Sequence, residues 1–316
     1  MVTSQEINNW KFEYQGQWYS AKVPGNNFSD LLNNGFIPDP FYGTNEDSVQ
    51  WVAEKEWIYQ TTFSAPKSKN HYLIFKGLDT YANVYLNDSL ILQADNMFRT
   101  WELDVSKILK KENILLIKFL PITKIEKQKQ TALAYKLPGG ERVFTRKAGF
   151  HYGWDWGAKI NPSGIWRRVE LNSWDICKIK DVYVVQDNLT DTLARLTVNI
   201  DIKSSIAKKI TVIAHDNIVK DFKLTKGDNR ISLNIDIISP ELWWPNGYGK
   251  QKLYDIAVAI MDNNKTIDRQ TKKIGLRKIE LITNQDSIGE TFYFKVNDRP
   301  IFMKGANYIP QDNLQN

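Results

Sequence analysis

The stretch Ala82-Asn83-Val84-Tyr85-Leu86-Asn87-Asp88-Ser89-Leu90-Ile91-Leu92 reads as two short strands joined by a polar turn. Val, Tyr, Leu and Ile suit a pleated, half-buried surface, and Asn-Asp tolerates the backbone twist that a tight hairpin demands. Outward from this hairpin the same punctuation recurs. Tyr72-Leu73-Ile74-Phe75 precedes it and Ile114-Leu115-Leu116-Ile117-Lys118-Phe119 follows, and runs of this kind, bounded by Gly, Asn, Asp or Pro, extend from Trp57 to Leu281. The chain is therefore expected to be mostly β, with a spacing that fits a sandwich or jelly roll.

A second strand series starts near Ile179, after Ile165-Trp166-Arg167-Arg168-Val169-Glu170-Leu171. It runs through Ala194 to Ile200, Ile210 to Ala214 and Ile231 to Ile235. About a hundred residues of this type fit an immunoglobulin-like sandwich. Cys177 is the single cysteine, so apolar packing must hold that sandwich without an internal disulfide. Between Pro121 and Lys147 the alternation lapses into Lys- and Gln-rich sequence broken by Leu137-Pro138-Gly139-Gly140, which predicts an inserted loop. Near the end, Phe292 to Asn307 reads as a hairpin turning at Asn297-Asp298. Nothing follows to cover its apolar face, so it reads as the opening of another domain. An uncovered strand from about Gly289 would invite pairing with a second copy, leaving a homo-oligomer open.

Composition narrows the function classes. The 316 residues include 42% hydrophobic and 25% charged residues, room for two domains or slightly more. The net charge is +6, but Lys and Arg are dispersed among 36 acidic residues, which argues against nucleic acid as a partner. Three scattered histidines and one cysteine make no case for a metal, and no cofactor motif is evident. No window approaches the ~18 consecutive apolar residues of a membrane span. Met1-Val2-Thr3-Ser4-Gln5 leads into polar sequence without an apolar signal core. The 11 Trp, 14 Tyr and 14 Phe supply flat faces that suit sugar rings as well as a protein core.

Three segments carry a resemblance: Val23-Pro24-Gly25 with Asp39-Pro40-Phe41-Tyr42-Gly43-Thr44-Asn45-Glu46; Arg146-Lys147-Ala148 with His151-Tyr152-Gly153-Trp154-Asp155-Trp156-Gly157; and Gly305-Ala306-Asn307-Tyr308-Ile309-Pro310. In order and spacing along the whole chain they resemble the β-mannosidases of glycoside hydrolase family 2. Trp57-Ile58-Tyr59, Asn96-Met97-Phe98 and Trp243-Trp244-Pro245-Asn246-Gly247 add to the likeness. It implies a jelly-roll sugar-binding domain over residues 1–173, an immunoglobulin-like sandwich over 174–281, and over 282–316 the first strand of an otherwise missing TIM barrel.

The resemblance also implies a parent enzyme that releases terminal β-mannose from carbohydrate by a retaining mechanism. Its two catalytic glutamates lie on later barrel strands. No catalytic residue is then expected in this chain, which should not hydrolyse sugar unaided but should shape the substrate pocket. Trp154 and Asp155 are the implied sugar contacts, the indole against the ring and the carboxylate on hydroxyls. Asn307, at the end of the presumed barrel strand, is a third. Ala158 departs from the proline expected after this motif. Glu46 follows an asparagine, as the family's acid/base glutamate does, yet lies in the wrong domain and is read as a loop carboxylate held by backbone amides.

Lys147 and Arg142 are read as solvated or interdomain charges, and Trp243 to Gly249 as structural. A family 2 β-galactosidase or β-glucuronidase, or a free-standing carbohydrate-binding module, remain alternatives. A periplasmic or otherwise extracytoplasmic home is suggested by the resemblance alone.

Overall fold

Alternating burial, the mark of strands packed on one face, runs through most of the chain. It is regular along Trp57–Ser64 and Leu193–Ser204. The computed structural model describes every residue except Asp216, Asn217, Ile309, Gln315 and Asn316. Its contacts divide into two units, Thr3–Ser173 with Tyr308–Asn316, and Met1–Val2 with Trp174–Asn307.

The first unit is a two-sheet sandwich. Six strands form one sheet in the order Gln17–Ser20, Lys11–Tyr14, Trp57–Ser64, Glu112–Phe119, Tyr81–Leu86, Ser89–Asp95. The other sheet runs Thr3–Glu6, Val169–Trp174, Asn70–Phe75, Trp101–Asp104. Inward residues of both, among them Phe12, Tyr59, Leu73, Phe75, Leu115, Phe119 and Leu171, make one buried cluster. Each large apolar side chain so buried stabilises by about 1.5–3 kcal/mol. Asn87 and Asp88 both take positive φ, 48° and 67°, and close the hairpin that the sequence predicts there.

The Pro121-to-Lys147 stretch is not wholly a loop. It opens with a helix, Ile122–Thr131, that buries Ile122 and Glu126. Ile122, Ile125, Glu126 and Lys129 share one face at helical spacing, but two of the four are polar, so the apolar period is hidden. Lys129 is tied down as well, its Nζ donating to the Tyr81 hydroxyl at 2.7 Å.

In the second unit a sheet of Cys177–Leu189, Leu193–Ser204 and Gly227–Ile238 shares its core with one ordered Ile218–Leu224, Lys208–Ala214, Tyr254–Asp262, Lys265–Ile274. Leu196, Val198, Ile200, Val212, Val258 and Ile260 are fully buried between them. Cys177 is buried in the same core, and burial pushes its thiol up to about 12. The Trp243-to-Gly249 segment packs within its own unit: Trp244 covers Gly249 and Trp243 covers Gly275, each closer than a Cβ would permit. Arg277 stacks on the Trp243 ring at 4.9 Å.

A small antiparallel sheet, Ile279–Ile282, Tyr293–Val296 and Arg299–Ile301, turns at Asn297 and Asp298, again with positive φ. From Phe302 to Tyr308 the chain takes no strand, so the expected strand ending at Asn307 is not formed. A barrel strand draws its hydrogen bonds from parallel neighbours, and among the described residues none pairs with this segment.

Close packing of backbone on backbone fixes one corner of the first unit. A Cβ on Gly164 would lie 2.6 Å from the Gly25 carbonyl oxygen and 2.7 Å from Asn26 Cα. Gly164→Ala is expected to destabilise by about 1–3 kcal/mol and to lower the midpoint of thermal unfolding by several degrees. Gly149→Ala, where a Cβ meets nothing within 4 Å, should stay within about 0.5 kcal/mol of wild type. Thermal unfolding followed by circular dichroism checks both.

Candidate functional site

The segment carrying Trp154 and Asp155 is a short closed turn. The Trp154 N–H donates to the Gly157 carbonyl and the Gly157 N–H to the Trp154 carbonyl, both at 3.2 Å, leaving Asp155 and Trp156 at the tip. Gly153 enters the turn at φ 85°, a conformation that glycine adopts without steric cost. Trp154 and Trp156 are 53% and 72% exposed, so neither indole is core. Asp155 is exposed beside them.

The return limb of the turn is clasped from two short helical turns, Asn45–Ser48 and Gln50–Glu54. The Lys159 N–H donates to Glu46 Oε1 at 2.9 Å, and the Lys159 carbonyl accepts from Gln50 Nε2 at 2.8 Å. Glu46 lies on the one-turn helix Asn45–Ser48 and not in a loop, while its carboxylate does accept from a backbone amide. At Ala158, where a proline was expected, the carbonyl accepts from Asn313 Nδ2 at 2.7 Å.

A buried charge pair joins the segments on either side of the turn. Lys147 Nζ bonds the Asp79 carboxylate and donates to the Pro162 carbonyl at 2.7 Å, with its side chain fully out of solvent. Asp79 also accepts from the Thr80 hydroxyl, and its backbone exchanges two 2.9 Å hydrogen bonds with Gly164. The expectation that Lys147 is a solvated or interdomain charge is therefore wrong, because its partner lies inside the same unit. Arg142 is exposed as expected. Burial lowers the Lys147 pKa while Asp79 opposes that shift. Losing one partner of such a pair typically costs about 3–5 kcal/mol, since the other charge is left buried alone.

Two further groups complete the base of the turn. The Tyr152 hydroxyl donates to Glu126 Oε1, and burial raises the carboxyl pKa of Glu126. The His151 ring is buried, its Nδ1 3.8 Å from Asp79 and without a hydrogen bond. Burial, then the Lys147 charge, hold its pKa down to about 2, so the ring is neutral.

Of the residues the sequence singles out, Trp154 and Asp155 stand next to each other on one turn. Asn307 is exposed, in irregular backbone, in the other unit. Ile309 of the third motif lies outside the described residues. Asp79 and Glu126 escaped sequence reading, and Tyr152 entered it only as a member of the His151-to-Gly157 motif: Asp79 sits in Leu78-Asp79-Thr80 with no motif around it, and Glu126 is hidden among lysines and glutamines. Chemically, an exposed carboxylate flanked by two indole faces can accept hydrogen bonds from adjacent hydroxyls while a ring packs against C–H groups.

The histidine sets a pH dependence. Its folded-state pKa lies below the ordinary 6.5, so the unfolded chain takes up the proton first and stability is lost as pH falls below about 6.5. The stability margin of wild type over His151→Asn should shrink by about 2 kcal/mol between about pH 7 and about pH 5. Urea unfolding of both proteins at each pH checks this. A constant margin would mean that the folded protein already accepts the proton.

Residues 10–167 match the family described as glycosyl hydrolase 2 galactose-binding domain-like, and residues 177–277 match glycosyl hydrolases family 2. The chain is 34% identical to β-mannosidase B of Emericella nidulans over 96% of its length, and 36% identical to that of Thermothelomyces thermophilus over 97%. It spans 39% and 38% of those relatives. The crystal structure of β-D-mannosidase from Dictyoglomus thermophilum superposes with a TM-score of 0.92 at 36% identity, covering 99% of this chain and 41% of that one. Amycolatopsis orientalis exo-chitosanase, at 22% identity and a TM-score of 0.77 over 98% of this chain and 37% of that one, shares the fold. With half its length matched by one family domain and most of the remainder by another, the chain belongs to glycosyl hydrolase family 2.

Proposed function

We propose that this chain is the N-terminal, non-catalytic part of a retaining exo-β-mannosidase and that it helps to shape the pocket for a terminal β-mannose. The observation that carries this reading is the closed turn at Trp154–Gly157, which holds a carboxylate and two exposed indoles on a clasped base. The similarity to β-mannosidases from two fungi and a bacterium supports it. In this reading residues 1–173 are the sugar-binding domain, 174–281 the immunoglobulin-like domain and 282–316 the start of the barrel, with Asn307 facing the sugar once barrel neighbours surround it. The acid/base and nucleophile, ~5 Å apart in retaining enzymes, belong to barrel strands outside these residues.

Asp155 would accept hydrogen bonds from two adjacent mannose hydroxyls, and the Trp154 face would pack on the pyranose. A charge-assisted contact of this kind is worth about 1.5–3 kcal/mol. Hydrolysis of a chromogenic β-mannoside by the chain alone, and by the chain joined to the remaining sequence of the Dictyoglomus thermophilum β-mannosidase, tests the reading. The chain alone should be silent. The joined protein should turn over, and Asp155→Ala should lower its kcat/KM by about 10- to 100-fold. Turnover by the chain alone, or a joined Asp155→Ala protein with full activity, would contradict it.

A further inference from the structure

A segment late in the chain returns to the turn. Tyr308–Asn316 groups by its contacts with the first unit, although in sequence it follows the second. Asn313 Nδ2 donates to the Ala158 carbonyl at 2.7 Å. Leu314, only 6% exposed, joins the buried apolar cluster of the first unit, against which Ala158 also packs. The Leu314 N–H donates to Asp312 Oδ1 at 2.8 Å, so this anchor is itself folded into a local turn.

Ala158 is where this hold meets the exposed tip. It follows Gly157, which closes the turn with Trp154, and precedes Lys159, which Glu46 and Gln50 hold. Two of the three ties on the return limb therefore come from the helical turns at 45–54, and the third comes from Asn313. A proline at 158 would fix its own φ, whereas alanine leaves the backbone free to rotate, so the bond from Asn313 supplies a restraint that the residue itself lacks. Asn313 also borders the small cavity where His151 and Asp79 face each other, which sets this tie beside the buried charge pair.

We propose that Asn313 is a positioning residue for the sugar contact, anchored by Leu314: it clasps the return limb at Ala158 and so sets where Asp155 stands. Neither residue touches the sugar. This rests on the reading of Asp155 as a mannose contact. In that reading residues 282–316 open the barrel, so the segment leading into the catalytic domain also orders the contact, and the two are set together.

Two measurements test it. Amide hydrogen exchange on the 316-residue chain reads the clasp without any sugar. Asn313→Asp keeps the shape of the side chain but removes its N–H donors, and at this half-buried position the variant should fold. Exchange at Trp154 and Gly157 should quicken by about 3- to 10-fold, and Leu314→Ala should quicken the same two amides. Unchanged exchange in either variant overturns the clasp and leaves the reading of Asp155 standing. The second measurement is turnover of a chromogenic β-mannoside by the joined protein. Asn313→Asp should lower kcat/KM by about 3- to 10-fold, yet cause no further loss when Asp155→Ala is already present, because it acts through that carboxylate. An equal loss in both backgrounds, as a merely structural role would give, overturns the positioning role. A joined Asp155→Ala protein with full activity overturns the reading of Asp155 itself, whatever the exchange shows.

Discussion

One buried ammonium, Lys147, joins the two segments that flank the Trp154–Gly157 turn. Taking Lys147 and Asp79 out of water costs several kcal/mol per ion, offset by their mutual attraction and by the Pro162 carbonyl and Thr80 hydroxyl that complete their hydrogen bonds. A pair of this kind adds little net stability over apolar packing, but it fixes geometry because any other arrangement leaves a charge unpaired. Lys147 precedes the Trp154–Gly157 turn in sequence and Pro162 follows it. Asp79 lies just before strand Tyr81–Leu86 and exchanges backbone hydrogen bonds with Gly164. One ammonium therefore ties both flanks of the turn to the edge of the sandwich.

Smaller ties finish what the pair begins. Glu46 and Gln50 hold the backbone of Lys159, Asn313 holds Ala158, and Tyr152 holds Glu126 on the helix. His151 fills the space beside Asp79 as a neutral ring, since a second positive charge next to Lys147 would be doubly disfavoured. The result is an exposed aromatic and acidic tip on a base that is already ordered, which lowers the entropic cost of holding any ligand there. In the second unit the Trp243-Trp244 pair serves packing instead, both rings lying on glycines that leave room for them.

How far the sequence could be read follows the range of the interactions. The hairpins at Asn87-Asp88 and Asn297-Asp298 were legible because turn and strand signals are local, and both turns take the positive φ that such residues favour. The motif around Trp154 and Asp155 marks a segment that the structure closes into an exposed turn, a shape that spacing alone does not predict. The helix Ile122–Thr131 was not, because Glu126 and Lys129 occupy positions on its inward face where apolar residues would have shown the period. Nor was the burial of Lys147, whose partner lies 68 residues away in an unmarked stretch. The segment before Asn307 takes no strand for a related reason: pairing decides a strand, and none of the described residues pairs with it.

The buried pair holds the turn in shape, and amide hydrogen exchange at Trp154 and Gly157 reads that out. In wild type both amides should be protected. In Lys147→Met their exchange should quicken by about a hundredfold or more, while core amides such as Tyr59 and Ile117 remain slow. Unchanged protection at Trp154 and Gly157 in a folded Lys147→Met protein would contradict the account, since the turn would then keep its shape without the charge beneath it.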